Sequence, residues 1–147
     1  MKFRLNGIDR EVPVDGAQSL LRVLRENLDL TGSKDACEQG ECGSCTVLMD
    51  GQPVCSCLVL GLDAEGADII TVEGLTPEGG LSPVQDALVE HGGVQCGYCT
   101  PGIVVAATHL LETNPTADDA EIREALSGNI CRCTGYGAIV RAIRSVQ

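Results

Sequence analysis

The first half of the chain has the short apolar runs and turn dipeptides of a strand-rich domain. Asn6-Gly7 and Asp50-Gly51 each favour a tight turn with positive φ, so the pattern predicts two hairpins. After Ser19, leucines recur at three- and four-residue steps, which predicts a helix with one apolar face against the sheet. Residues 31–45 are rich in glycine and polar side chains, which predicts a long loop. The predicted strands are residues 2–5, 8–14, 46–49, 52–60 and 69–72.

The second half changes to helical patterning after a linker at residues 76–80. We expect the domain boundary at this linker, which gives domains over residues 1–76 and 77–147. Ser82-Pro83 and Thr100-Pro101 are cap-then-proline signals, in which the hydroxyl caps a helix and the proline follows it. The predicted helices are one opened by Ser82 and ended by Gly92-Gly93, then residues 103–111, 116–126 and 137–146.

The composition permits two small cores and points to a protein partner. Apolar residues make up 44% of the 147 residues but aromatic residues only 2%, so aliphatic side chains must build the cores. Small cores of this kind are marginal, and bound metal would add stability. Lys and Arg total 10 against 21 Asp and Glu, a formal charge of -11, which argues against a nucleic-acid partner.

The amino terminus and the cysteines bear on the compartment. Residues 1–7 lack the apolar run of a secretory signal, and no segment is apolar for long enough to span a bilayer. We therefore expect a cytoplasmic protein. Clustered cysteines in that compartment are more often metal ligands than disulfides, and the odd count of nine agrees.

Four cysteines have the spacing of a plant-type 2Fe-2S ferredoxin. Three of them lie in the glycine-rich loop as C-x4-C-x2-C, and the fourth follows after eleven intervening residues. Glycines in this loop lack a Cβ and let its amides approach sulfur. Cys55 is placed on the same predicted strand face as Cys57, and we assign Cys57 as the ligand and Cys55 as a small buried residue. The first set is Cys37, Cys42, Cys45 and Cys57.

Four further cysteines form a second set with a different spacing. Cys96-x2-Cys99 alone is compatible with zinc or a redox dithiol, whereas Cys131-x-Cys133 favours two thiols that face one centre. Each pair lies near a predicted helix end, where a helix amino terminus favours the thiolate. Spacing alone leaves tetrahedral zinc as an alternative for both sets, because zinc uses the same ligands.

Two longer motifs surround the second set. They are Gln-Cys-Gly-Tyr-Cys-Thr-Pro-Gly at residues 95–102 and Gly-Asn-Ile-Cys-Arg-Cys-Thr-Gly-Tyr at residues 128–136. With the first set, they resemble the iron-sulfur subunit of molybdenum hydroxylases of the xanthine dehydrogenase family over nearly the whole chain. The resemblance implies an α+β fold, with an N-terminal β-grasp 2Fe-2S ferredoxin-like domain followed by a C-terminal four-helix bundle that binds a second 2Fe-2S cluster.

The resemblance also implies cofactors and partners. A large subunit would carry molybdenum in a molybdopterin cofactor and a medium subunit would carry FAD, in a heterotrimer or a dimer of heterotrimers. Electrons would pass from molybdenum through the second set, then through the first set, to FAD. Gln95 and Cys133 match positions beside the pterin, and Tyr136 is expected to serve in packing. The second cluster would be held by Cys96, Cys99, Cys131 and Cys133.

This chain has no predicted catalytic residue, because His91 and His109 are isolated from any nucleophile or paired carboxylate. The cofactors would carry the chemistry. The loop of the first set looks like that of relatives that act on purines or other N-heteroaromatic compounds. Two rival functions are a stand-alone ferredoxin-like electron carrier and a zinc-stabilised interaction module. Molybdenum and FAD in constant ratio with the chain would separate the subunit from the carrier, and iron analysis would separate both from zinc.

Overall fold

The first half of the chain folds into a mixed sheet. The structure is a computed structural model that describes residues 1–147. The strands are β1 (Lys2–Leu5), β2 (Ile8–Glu11), β3 (Thr46–Met49), β4 (Gln52–Cys55) and β5 (Asp68–Ile70). Their order in the sheet is β2-β1-β5-β3-β4, with β1 and β5 parallel and all other neighbours antiparallel. This arrangement agrees with the β-grasp domain that the resemblance implies.

Three strands differ in extent from their predictions. β2 ends before Pro13, which has no N–H to donate to a sheet. β4 ends at Cys55 and not at residue 60, because the chain turns there and the N–H of Leu58 donates to the Cys55 carbonyl at 2.9 Å. β5 ends at Ile70, and a 3-10 turn over Val72–Leu75 follows it. The prediction that Cys55 and Cys57 share a strand face was therefore wrong.

The helix predicted after Ser19 is present, but it changes type along its length. The Ser19 hydroxyl accepts a hydrogen bond from the N–H of Arg22 and caps α1 (Leu20–Arg22). The helix continues as a π-helical turn over Val23–Asn27. Leu20, Leu21 and Leu24 are fully buried, as the pattern predicted, and Leu20 and Leu24 belong to the core that includes the sheet residues Phe3, Leu5, Val47 and Ile69.

Four helices enclose the second core. They are α2 (Pro83–Glu90), α3 (Thr100–Thr113), α4 (Asp119–Ala125) and α5 (Gly137–Arg144). α2 begins at the predicted capping box of Ser82 with Gln85, and it ends before Gly92-Gly93. The core is aliphatic, and its fully buried residues include Leu88, Ile103, Ile122, Ile139 and Ile143. The division of the chain at residue 76 stays a prediction. None of these helices is both long and apolar enough to cross a membrane.

Two helices begin at other residues than the sequence predicted. α4 begins later, because the Asp118 side chain accepts hydrogen bonds from the N–H groups of Ala120 and Glu121, both at 2.9 Å. α3 begins at Thr100, so Cys99 and not Thr100 occupies the N-cap position. The Thr100 hydroxyl is buried without a hydrogen-bond partner. A cysteine of the second set thus lies directly at the start of α3.

The two halves meet at glycines whose contacts leave no room for a side chain. A Cβ on Gly43 would overlap the carbonyl oxygen of Gly128, and a Cβ on Gly102 would overlap the carbonyl oxygen of Gly43. The buried Asn129 side chain lies at the same junction. Its Nδ2 donates to the Gly43 carbonyl at 3.0 Å and to Thr46 Oγ1 at 3.2 Å. The loop of the first cysteine set therefore packs directly against α3 and the loop of the second set.

Candidate metal centres

The first cysteine set is presented by a curled loop and a neighbouring turn. Positive φ angles at Gly40 (75°) and Gly43 (68°) bend the loop, a conformation that glycine adopts without steric cost. Residues 31–45 contain no regular element, as the sequence predicted. The four thiols lie together in two contacting pairs, Cys37 with Cys42 and Cys45 with Cys57.

Amide groups of this loop stabilise one thiolate. The N–H of Gln39 donates to Cys37 Sγ at 3.4 Å. This bond and further donation from Cys42 lower the pKa of Cys37 to about 6. A hydrogen bond to the charged form favours that form, and the thiolate is the form that binds metal. The loop thus prepares the Cys37 sulfur as a ligand.

Cys57 and Cys55 differ in the groups that they contact. Burial, followed by the proximity of Cys45, raises the pKa of Cys57 to about 12 and that of Cys55 to about 11. The backbone amide of Gly40 opposes this rise at Cys57. Cys55 Sγ instead donates to the Gly40 carbonyl at 3.7 Å. An N–H donor favours a thiolate and a carbonyl acceptor favours a thiol, which supports Cys57 as the ligand.

The second set lies where the start of α3 meets the loop before α5. Its contacting pairs are Cys99 with Cys131 and Cys96 with Cys133. Cys131 is buried and belongs to the second core, whereas Cys96 and Cys133 are exposed. The site therefore has an inner pair against the helices and an outer pair at the surface.

Protons are distributed unequally within the inner pair. Burial and contact with Cys131 raise the pKa of Cys99 to about 12, which outweighs the helix amino terminus that we expected to favour its thiolate. Burial also works toward a higher pKa at Cys131, but donors from Thr134 and Cys133 outweigh it and lower that pKa. Thr134 Oγ1 lies 3.1 Å from Cys131 Sγ. Of the two thiols, Cys131 is thus the one that loses its proton more readily.

Tyr136 holds the backbone that carries Cys131. Its hydroxyl accepts a hydrogen bond from the N–H of Cys131 at 2.8 Å and donates to the Asn129 carbonyl at 3.1 Å. The sequence assigned Tyr136 to packing alone, and it assigned no role to Asn129 or Thr134. These three residues lie inside the motif at residues 128–136, but a motif does not reveal which atoms meet.

Replacing Tyr136 by phenylalanine is expected to alter the second centre and leave the first unchanged. The change removes the acceptor of the Cys131 N–H and should cost about 1–3 kcal/mol of unfolding free energy. Thermal unfolding and EPR of the reduced protein measure the two effects. Tyr98→Phe is the matched control, because Tyr98 lies between two ligands of the same set but donates to the distant Asp35 carbonyl. Equal changes in both variants would argue against a specific role for Tyr136.

The two cysteine loops are joined by one backbone hydrogen bond. The N–H of Ile130 donates to the Cys42 carbonyl at 2.9 Å. Ile130 directly precedes Cys131, so a ligand of one set and a ligand of the other are connected through a single peptide and this bond. The structure thus places the two sets side by side across the junction of the domains.

The thiols suit a cluster of two irons. A 2Fe-2S cluster takes four thiolates, two on each iron, and the thiols of each set are grouped in two pairs. The curled first loop also turns amides toward its thiols, as a cluster with charged sulfurs requires.

The remaining candidate residues lie near or apart from these sets. Gln95 is exposed and directly precedes Cys96, which contacts Cys133, so Gln95 and Cys133 lie at the same edge of the molecule. His91 is exposed and His109 is half-buried. His109 lines a cleft between β4 and α3, where Cys55 also lies.

Family models match the two segments of the chain that contain the cysteine sets. A family model described as "2Fe-2S iron-sulfur cluster binding domain" matches residues 3–73, and one described as "[2Fe-2S] binding domain" matches residues 71–144. The nicotine 6-hydroxylase small subunit of Paenarthrobacter nicotinovorans is 51% identical over 95% of this chain and 84% of its own length. The nicotinate dehydrogenase small FeS subunit of Eubacterium barkeri is 46% identical over 98% of this chain and 92% of its own length.

A solved structure has the same fold over almost the whole chain. Quinoline 2-oxidoreductase from Pseudomonas putida 86 superposes with a TM-score of 0.95 at 47% identity, covering 97% of this chain and 88% of the matched chain. The fold and the two sites define a protein with two 2Fe-2S domains that transfers electrons. The chain belongs to the family of iron-sulfur small subunits of molybdenum hydroxylases. It is a component of an oxidoreductase complex. This confirms the predicted function, an electron-transfer subunit, in place of the two rivals, the stand-alone carrier and the zinc module.

Proposed function

We propose that electrons enter this subunit at the second cysteine set and leave from the first. The bond from the Ile130 N–H to the Cys42 carbonyl carries this proposal, because it joins the two ligand loops without an intervening side chain. The glycine contacts at Gly43 and Gly102 keep the loops in place. The ligands in this proposal are Cys96, Cys99, Cys131 and Cys133 at the entry site, and Cys37, Cys42, Cys45 and Cys57 at the exit site.

The entry site is proposed to dock against a large subunit that carries molybdopterin. Cys96 and Cys133 form the outer pair, and Gln95 beside them is exposed. Exposed side chains at a cluster's edge are available to a cofactor held by a neighbouring subunit. Tyr98 and Ile130, both large and about half exposed, lie next to this edge and supply apolar contact area. Gln95 and Cys133 would then lie beside the pterin.

The exit site is proposed to face a medium subunit that carries FAD. Cys57 lines an open polar groove of about 520 Å³. Arg22 and Glu38 pair across this groove at 3.3 Å, while Asp15 and Glu26 leave it a net negative charge. A negative groove suits basic residues on a partner, which speed docking and set its orientation. The assembly would be a heterotrimer or a dimer of heterotrimers.

The substrate of the complex is proposed to be a purine or another N-heteroaromatic compound. The relatives include subunits named for nicotine 6-hydroxylase, nicotinate dehydrogenase and caffeine dehydrogenase. The substrate site would belong to the large subunit, beside its molybdopterin cofactor. The nine free cysteines favour the cytoplasm, where thiols stay reduced until metal binds.

Rapid freezing of the native complex during a single turnover tests the electron route. The complex is mixed anaerobically with nicotinate, hypoxanthine or quinoline, and EPR follows each centre while absorbance follows FAD. We expect the second set's signal to appear no later than the first set's, and FAD to be reduced last. A first-set signal that forms while the second set is disabled by mutation would contradict the route. Molybdenum and FAD that are absent from the purified complex would contradict the proposed partners.

A further inference from the structure

Five thiols, and not four, gather at the first site. The thiol of Cys45 lies within hydrogen-bonding reach of both Cys57 and Cys55. The other contact at this site joins Cys37 to Cys42. Two thiols, Cys55 and Cys57, are therefore candidates for the one ligand position beside Cys45.

A single glycine contacts both of these candidate thiols. The Gly40 carbonyl accepts a hydrogen bond from Cys55 Sγ at 3.7 Å, and the Gly40 amide donates to Cys57. Both cysteines belong to one turn, which the Leu58 N–H closes by donating to the Cys55 carbonyl at 2.9 Å.

The two thiols reach Cys45 from different sides of the molecule. Cys57 lines the polar groove near Arg22 and Glu38. Cys55 lines a separate cleft of about 360 Å³ between β4 and α3, where His109 and Leu110 also lie. A change at the outer groove can therefore remove Cys57 as a ligand without disturbing the surroundings of Cys55.

We propose that Cys55 is a reserve ligand of the first 2Fe-2S cluster, which replaces Cys57 beside Cys45 when Cys57 is lost. The inference rests on the proposed assignment of Cys37, Cys42, Cys45 and Cys57 to that cluster. In the exchange, the iron–sulfur bond to Cys57 breaks, a bond to Cys55 forms, and the Cys55 proton passes to the released Cys57 thiolate. The irons keep their oxidation states. When Cys57 is absent from the start, the Cys55 proton passes to water during cluster assembly.

Iron and acid-labile sulfide analysis of cysteine variants tests the reserve ligand in the native complex. We expect Cys57→Ala to keep about four irons per chain, with a shifted first EPR signal and an unchanged second signal. Cys37→Ala is the matched control, because Cys55 makes its thiol contact with Cys45 and not with Cys37 or Cys42, and it should fall to about two irons. The double variant Cys55→Ala with Cys57→Ala should also fall to about two irons, while Cys55→Ala alone keeps about four.

The second EPR signal reports in every variant that the chain has folded. Loss of the first cluster in Cys57→Ala to the same extent as in Cys37→Ala would overturn the proposal. So would a double variant that keeps the first cluster, or a Cys55→Ala variant that loses it. A failure of the proposed function differs from all of these, because it would appear in the order in which the centres are reduced, or in the molybdenum and FAD content, and not in the iron content of the variants.

Discussion

Replacing Cys131 by alanine is expected to remove the second 2Fe-2S cluster and to stop electron flow to FAD. Cys131 is the buried thiol of the inner pair, where it contacts Cys99 and lies 3.1 Å from Thr134 Oγ1. A cluster that loses one of four thiolates has an open iron and is not retained. Iron should fall from about four to about two per chain, and the substrate should no longer reduce FAD. Metal analysis, EPR and absorbance of FAD after adding substrate measure these effects.

Cys55→Ala is the matched control for this change. It removes a cysteine that is half-buried and lies outside both sets of four. The control should keep both EPR signals and normal reduction of FAD. The first EPR signal of Cys131→Ala shows whether the N-terminal domain is still folded. A Cys131→Ala protein that keeps both signals, or that still passes electrons to FAD at the normal rate, would contradict the assignment.

Replacing Gly43 by alanine is expected to separate the two cysteine loops. A Cβ there would overlap the Gly128 carbonyl oxygen and press on the Asn129 side chain, and neither backbone can move aside without shifting a ligand loop. The residue also has a φ of 68°, which costs a non-glycine residue about 1–2 kcal/mol. Overpacking adds about 1–3 kcal/mol, so unfolding free energy should fall by about 2–5 kcal/mol. Chemical denaturation measures the loss, and EPR should show a disturbed first centre.

Gly51→Ala separates backbone strain from the effect of contact. Gly51 has a similar φ of 77° in the hairpin turn, and a Cβ there would meet nothing within 4 Å. This variant should therefore lose only about 1–2 kcal/mol and keep both centres. Equal losses in the two variants would mean that the junction tolerates a side chain. The packing of the loops would then not account for their alignment.

The curl of the first cysteine loop could be predicted from the sequence because the spacing of its cysteines and glycines is a local property. C-x4-C-x2-C brings three thiols onto one loop, and the glycines within it allow the curl that the structure contains. The caps of α2 and the turns at Asn6-Gly7 and Asp50-Gly51 were predicted for the same reason. In each case, neighbouring residues decide the conformation, and few distant contacts compete with them.

The junction between the domains could not be predicted from the sequence, because its contacts join residues that are far apart along the chain. The hydrogen bond from Asn129 to Gly43 spans 86 positions. Gly102, where an added Cβ would overlap the Gly43 carbonyl oxygen, belongs to a third segment, α3. Local pattern also failed at β4, where the apolar run continues to residue 60. The turn at Cys55 is fixed by the Ser56 hydroxyl, which donates to the Cys45 carbonyl at 2.7 Å. Such tertiary bonds override an apolar run that favours a longer strand.

The most direct test of the account is the metal content of the native protein, combined with EPR after reduction with dithionite. Two separate 2Fe-2S clusters require about four irons and about four acid-labile sulfides per chain. We expect these amounts and two distinct EPR signals that relax at different temperatures. A colourless protein with zinc in its cysteine sets, or one with about two irons and a single signal, would contradict it.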